Sequence, residues 1–204
     1  MLRILVVGLI VLVAVMFMVP RATPPPVAAT VLPEPRALPA VELVDAAGAP
    51  LGLDAFRGRF TLLYFGFTRC PDVCPITLKT LADARAAVAA RAPQAVPQIV
   101  FVSVDPSRDT PADIAEYLGR FDAAFVGATA TTERLAPLLA ALGVTVEKHR
   151  HDEDYTITHN DTVYVIGPGA ELIAVASGPH DAATIASDFL KIRQRYRASH
   201  RAPA

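Results

Sequence analysis

The chain has 204 residues, 52% of them hydrophobic, and sets 19 basic against 20 acidic side chains for a formal charge of -1. That balance carries no electrostatic footprint for nucleic acid, and the length allows one domain of ordinary size plus appendages. Two cysteines are present in all, so they form one disulfide, bind something together, or are unrelated core residues.

Arg3 is followed by an unbroken apolar run, Ile4 to Val19, that ends at Pro20 and Arg21. The run is short for a membrane helix and long for a signal-peptide core, so residues 1–20 read as a transmembrane anchor or a signal segment. Arg3 and the amino terminus favour a cytoplasmic start, although Arg21 weakens that bias. With no Ala-x-Ala site close behind the run, the expectation is an uncleaved single-pass anchor in a bacterial inner membrane, with the domain in the periplasm. Residues 21–40 hold prolines at 24, 25, 26, 33, 35 and 39 and are predicted to be an extended spacer. The domain is then expected over 41–197, with a tail at 198–204.

Within it, Val41 to Val44 and Leu51 to Leu53 read as paired short strands across the turn Ala47-Gly48-Ala49-Pro50. Phe60 to Phe65 reads as a central strand. After it, Leu78, Leu81, Ala84 and Val88 recur at helical spacing, and Pro93 and Pro97 end that helix. Gln98 to Val104 is a second buried strand. The polar turn Asp105-Pro106-Ser107-Arg108-Asp109-Thr110-Pro111 follows, with Asp109 or Thr110 able to cap a helix beginning at Pro111. Residues 125–128 form a short strand, and Thr131 or Thr132 opens a helix that Gly143 stops. Val144 to His149 reads as an edge strand and His149 to Asp154 as a solvated loop. Thr162 to Ile166 and Leu172 to Ala176 pair across Gly167-Pro168-Gly169-Ala170, and the last helix places Ile185, Phe189, Ile192 and Tyr196 on one face. This order predicts an α/β chain of the thioredoxin type, a central mixed sheet with helices on both faces.

The chemistry centres on Tyr64 to Pro75, where a strand gives way to a helix and carries both Cys70 and Cys74. The first N–H groups of a helix have no internal partners, and the local field there favours a thiolate. Pro75 is tolerable only if the helix proper begins at about Asp72 to Cys74. The Cys-x3-Cys spacing is one residue longer than that of a dithiol oxidoreductase, though a disulfide between i and i+4 stays feasible. Two thiolates with an imidazole suit copper(I), and can hold copper(II) with an added or distorted ligand, whereas zinc would need a fourth ligand. His159 offers the imidazole, although its surroundings equally suit an ordinary strand-end residue. Asp72 reads as a cap or partner-contact residue. His149 and His151 read as loop, and His180 and His200 as surface.

The segments Phe67 to Pro75 and Asp105 to Pro111, with Thr158-His159-Asn160 ahead of a strand ending in Gly167-Pro168-Gly169, together resemble the Sco/SenC family. These are membrane-anchored, thioredoxin-fold copper proteins associated with assembly of the binuclear copper centre of cytochrome c oxidase. The resemblance covers roughly residues 41–195 and implies that Cys70, Cys74 and His159 bind copper. It implies the copper-bearing oxidase subunit as partner, with another periplasmic copper chaperone or a thiol reductant as a further one. Many relatives have aspartate where this chain has Gly167, a departure expected to alter a loop and leave the ligands intact. Three roles follow as expectations: a copper metallochaperone, a thiol-disulfide reductase that keeps the partner's cysteines reduced, or a sensor that signals through a partner.

Overall fold

The computed structural model describes residues 28–152 and 154–200. Ten strands and four α-helices follow in chain order: β1 (Thr30–Ala37), β2 (Leu43–Asp45), β3 (Pro50–Leu51), β4 (Thr61–Gly66), α1 (Val73–Arg91), β5 (Gln98–Ser103), α2 (Pro111–Gly119), β6 (Val126–Thr129), α3 (Thr132–Leu142), β7 (Val146–His151), β8 (Asp154–His159), β9 (Thr162–Gly167), β10 (Glu171–Ser177) and α4 (Ala182–Ser199). Eight strands make one sheet in the order β1-β10-β9-β4-β5-β6-β2-β3, while β7 and β8 make a separate two-stranded sheet. Parallel pairing of β4 with β5, and of β5 with β6, beside antiparallel β9 and β10 makes the main sheet mixed, as predicted.

β4 lies at the middle because every one of its residues is apolar or small enough to be buried, and all six are. Burial on both pleat directions means the sheet is covered on both faces. Its register runs Leu62 to Ile99 and Val165, and Tyr64 to Phe101 and Val163, so apolar side chains stack across three strands. Leu78, Leu81, Ala84 and Val88 on α1 are buried at helical spacing. Ile185, Phe189 and Ile192 do the same on α4, which packs against α1, and Tyr196 meets Phe60 edge-on at 5.4 Å.

The helix ends follow from local chemistry. Thr110 and Asp113 form a reciprocal capping box at the start of α2, with Pro111 at its first turn. Thr131 caps α3, and Gly143 ends it with φ 68°.

Three sequence expectations are corrected. Residues 30–37 of the predicted 21–40 spacer are an edge strand, paired antiparallel with β10 from Thr30↔Val175 to Ala37↔Glu171. The pairing shifts between Val31 and Arg36, where Pro33 and Pro35 fall, since prolines lack a donor and are tolerated only at an edge or a bulge. The folded unit thus begins ahead of residue 41, and α4 runs on to Ser199, two residues past the expected boundary of the tail. The solvated loop expected at 149–154 is largely strand, because β7 and β8 pair without a break from Val146↔His159 to His151↔Asp154. The apolar run Ile4 to Val19 lies outside the described residues. Among the described residues no helix is long and apolar enough to cross a membrane.

Candidate metal centre

β4 ends at Gly66 and α1 begins at Val73, so the intervening turn lies at the carboxyl end of the central parallel strands, where open α/β sheets place their sites. Asp72 takes the N-cap position and is exposed, but its side chain makes no cap hydrogen bond. The Cys70 sulfur substitutes for it, accepting from the Cys74 backbone N–H at 3.4 Å. An unpartnered helix N–H thereby points at a sulfur, which favours a thiolate. Cys74, one turn on, is fully buried while Cys70 is half-buried. Gly66 permits this packing, since a Cβ there would stand 2.8 Å from Phe101 Cε2 and 3.0 Å from Cys74 Sγ.

The third donor arrives from the other side of the cleft. His159 closes β8, and its Nε2 lies 3.2 Å from Cys74 Sγ. Its Nδ1 is 3.1 Å from the Asn160 carbonyl oxygen. A proton on Nδ1 donated to that carbonyl leaves Nε2 with a free lone pair facing the sulfurs, the tautomer a metal requires. Phe67 and Tyr64 flank the imidazole edge-on, with ring centroids 5.9 Å and 6.1 Å away. The donor atoms of Cys70, Cys74 and His159 all lie within 4.8 Å of one another.

The two thiols are electrostatically unequal. Hydrogen bonding from the Cys74 thiol pulls the Cys70 pKa down to about 4, against burial. The same hydrogen bond, with burial added, pushes Cys74 far up. The metal-free, reduced pair therefore shares one proton, held on the buried sulfur. Tyr64 is likewise pushed up, first by burial and then by Cys74 and Asp161, so its buried phenol stays protonated.

Several contributors were not foreseen. Asp161 accepts from Thr77 Oγ1 at 3.0 Å and stands 3.4 Å from His180 Nε2, tying the start of β9 to α1. Burial works to raise the Asp161 pKa, but its contacts with His180 and Thr77 outweigh it and the net shift is down. His180, expected at the surface, has a side chain only 3% exposed because it turns in to meet that carboxylate. Gly178 leaves room for the contact, since a Cβ there would stand 2.4 Å from Asp161 Oδ2. Asn160 fixes the hairpin's root, accepting from Thr145 N–H and donating to Thr162 Oγ1 and Tyr164 Oη, each at 3.0 Å. Asp109 does not cap α2; it is buried and binds Thr68 instead. The one sequence signal for burial was the position of Asp105, two residues beyond a strand whose Ile99 to Val102 are all apolar. His149 is exposed on the hairpin, 3.1 Å from Thr158 Oγ1, and does not join the sulfur cluster. Gly167 sits where a Cβ would approach Glu171 Oε1 to 2.4 Å, so this hairpin is shaped around a glycine, away from the three donors.

A thioredoxin-like sheet that presents two unequal thiols and an imidazole at its carboxyl edge defines a thiol-imidazole protein with an open, three-donor centre. The chain belongs to the SCO1/SenC family, whose model matches residues 32–194. It is 37% identical over 142 residues, 69% of each chain, to a Stutzerimonas stutzeri protein named for a proposed copper-binding role. It is 35% identical over 128 residues to the mouse protein named SCO2 homolog, mitochondrial, a match covering 62% of this chain and 50% of the relative. The structure of Arabidopsis thaliana ScoI with copper bound superposes with a TM-score of 0.72 at 30% identity, covering 77% of this chain and 98% of that one.

Proposed function

We propose that this protein is a copper metallochaperone that binds one copper through Cys70, Cys74 and His159. Its acceptor in this reading is the binuclear copper site of cytochrome c oxidase, on the copper-bearing subunit, which it loads or prepares. The single observation that carries the proposal is the convergence of two sulfurs and one imidazole nitrogen within 4.8 Å, with Cys70 half-exposed. Two soft sulfurs and an imidazole match copper(I) in low coordination, and copper(II) when a further ligand is added. Among the described residues no fourth His, Cys, Asp or Glu joins the group, which disfavours a closed zinc site. The copper-bound relative from Arabidopsis supports the same cargo.

Delivery requires donors that can leave one at a time. Cys70, half-buried at the rim, is placed to be exchanged first for a partner thiolate, while His159 and the buried Cys74 retain the ion until the partner has replaced them. An amino-terminal anchor at residues 1–20 would hold the domain on the periplasmic face of a bacterial inner membrane, where the oxidase subunit presents its site.

The low Cys70 pKa favours a second reading, a thiol-disulfide reductase acting on the partner's cysteines. In that reaction the Cys70 thiolate attacks a partner disulfide and forms a mixed disulfide. Cys74 then gives its proton to the departing partner thiolate and closes a Cys70–Cys74 disulfide, so the partner gains two electrons and this chain loses them. Titrating the full-length reduced protein with copper(I) in competition with a chelator, and assaying disulfide reduction in parallel, separates the two. His159→Ala is expected to weaken copper binding by more than about tenfold and to leave disulfide reduction intact. Unchanged copper affinity in His159→Ala would reject the three-donor chaperone.

A further inference from the structure

The loop between β5 and α2 touches both halves of the candidate centre through different side chains. On one side Asp109, 1% exposed, accepts from Thr68 N–H at 2.9 Å and Thr68 Oγ1 at 2.6 Å, holding the turn that leads into Cys70. Ser103 Oγ supports the same carboxylate at 2.5 Å. On the other side Asp105, fully buried, accepts from Tyr155 Oη at 2.5 Å and lies 3.8 Å from Lys148 Nζ. Tyr155 and Lys148 belong to β8 and β7, the hairpin that carries His159.

Arg108 completes the second arm. Its Nε donates to Asp105 at 2.6 Å, and its Nη1 donates to the Tyr155 carbonyl and the Asp154 carboxylate, each at 2.9 Å. Its guanidinium also lies over the Tyr155 ring, 3.7 Å from the centroid. The joint between the arms is rigid, since the Asp105 carbonyl accepts from both Arg108 N–H at 3.1 Å and Asp109 N–H at 2.9 Å. Tyr155, Ile157 and His159 alternate along one face of β8, so a clamp on Tyr155 fixes the face from which the imidazole projects.

We infer that this loop is a two-armed brace setting the separation of the imidazole from the sulfur pair, with Asp105, Arg108 and Tyr155 as positioning residues for His159 and Asp109 as the positioning residue for the Cys70 turn. The inference rests on the proposed reading of Cys70, Cys74 and His159 as metal ligands. A hairpin paired only within itself has no ladder to hold its angle to the main sheet, and the Asp105–Arg108–Tyr155 cluster fastens its turn end, where Arg150 pairs with Tyr155 and His151 with Asp154. Removing one arm should therefore be felt at the histidine and spare the sulfurs.

The test measures copper(I) affinity of the full-length reduced protein by chelator competition, with each loop variant made in the wild-type and His159→Ala backgrounds. Tyr155→Phe, which removes one oxygen, and Arg108→Gln are each expected to weaken copper about tenfold when His159 is present and to change nothing when it is absent. Arg108→Lys should recover only part of the loss, because it keeps the charge and forfeits the fork. Asp109→Asn should weaken copper in both backgrounds. Amide exchange in the metal-free protein supplies a second readout: Arg108→Gln should speed exchange across β7 and β8 while β4 and β5 keep their protection. Equal losses in the two backgrounds, or no loss in either with unchanged hairpin exchange, would overturn the brace. A normal affinity in His159→Ala itself would remove the ligand, and the brace with it, whereas a weakened His159→Ala beside an unaffected Tyr155→Phe and Arg108→Gln would reject the brace alone.

Discussion

The sulfurs and the imidazole reach one point from supports of very different stiffness. Cys70 and Cys74 follow β4, which is buried throughout and hydrogen-bonded to β5 on one side and β9 on the other. His159 ends a hairpin whose strands pair with each other, with Ile157 its one buried residue among those described. An isolated two-stranded hairpin is marginal in water, so its order depends on what clamps it to the rest. The difference suits the proposed delivery role, in which one half stays assembled in the core while the other opens locally without unfolding the domain.

Removing a donor from the stiff half should be the most damaging change to the proposed copper binding. Cys74→Ala and Cys70→Ala should each lower copper(I) affinity by well over about 100-fold, beyond the range expected for a supporting residue. Chelator competition on the reduced protein measures this. Comparable, modest losses for Cys74→Ala and His159→Ala would mean that the two halves contribute equally.

Stability should divide the same way. Leu81 is fully buried on α1 beneath the sheet, so Leu81→Ala should cost about 2–5 kcal/mol in denaturant unfolding of the metal-free protein. Ile157, 8% exposed, packs the hairpin, and Ile157→Ala should cost less than about 1 kcal/mol globally, because the hairpin opens on its own. With copper bound the Ile157→Ala deficit should widen, since a ligand that bridges both halves links hairpin closure to global stability. An apo-state deficit for Ile157→Ala as large as that for Leu81→Ala would make the hairpin part of the cooperative core.

The contrast also explains what the sequence could and could not reveal. The stiff half is local in its logic: an apolar strand, a turn with two cysteines, and a helix face of Leu78, Leu81, Ala84 and Val88 declare themselves by periodicity, and α1 starts at Val73, inside the predicted window. The hairpin does so only in part: Val144 to His149 reads as an edge strand, as β7 largely is, but Glu147, Lys148 and Arg150 put charge on both pleat directions and hide that the strand runs on to His151 and pairs with β8. β1 was hidden in the same way by Pro33 and Pro35, which read as spacer unless an edge partner is known. Asp105 and Asp109 look like turn residues in sequence, and only the packing of Tyr155 and Thr68 against them gives those carboxylates their work.

The smallest expected effect separates the two sulfurs within the stiff half. Hydrogen bonding from the Cys74 thiol is the leading reason that the Cys70 pKa falls to about 4, so in the metal-free reduced protein Cys70 should be alkylated at nearly constant rate from pH 8 down to about pH 5. A thiol at its ordinary value of 9.0 would instead slow about tenfold for each unit of pH over that interval. The sign of the linked stability follows from the direction of the shift. A group whose folded pKa lies below its unfolded value contributes most above the unfolded pKa, and the contribution fades as pH falls toward the folded one. Cys70 should therefore favour the fold progressively less between about pH 9 and pH 4, with solvent at the half-buried sulfur keeping the effect small. Cys74→Ala removes the donor that depresses the Cys70 pKa, so in that variant the alkylation rate should regain a steep fall below neutral pH and the linked contribution should shrink. A flat alkylation profile that persists in Cys74→Ala would move the cause to the helix start, where the Cys74 backbone N–H still points at the Cys70 sulfur.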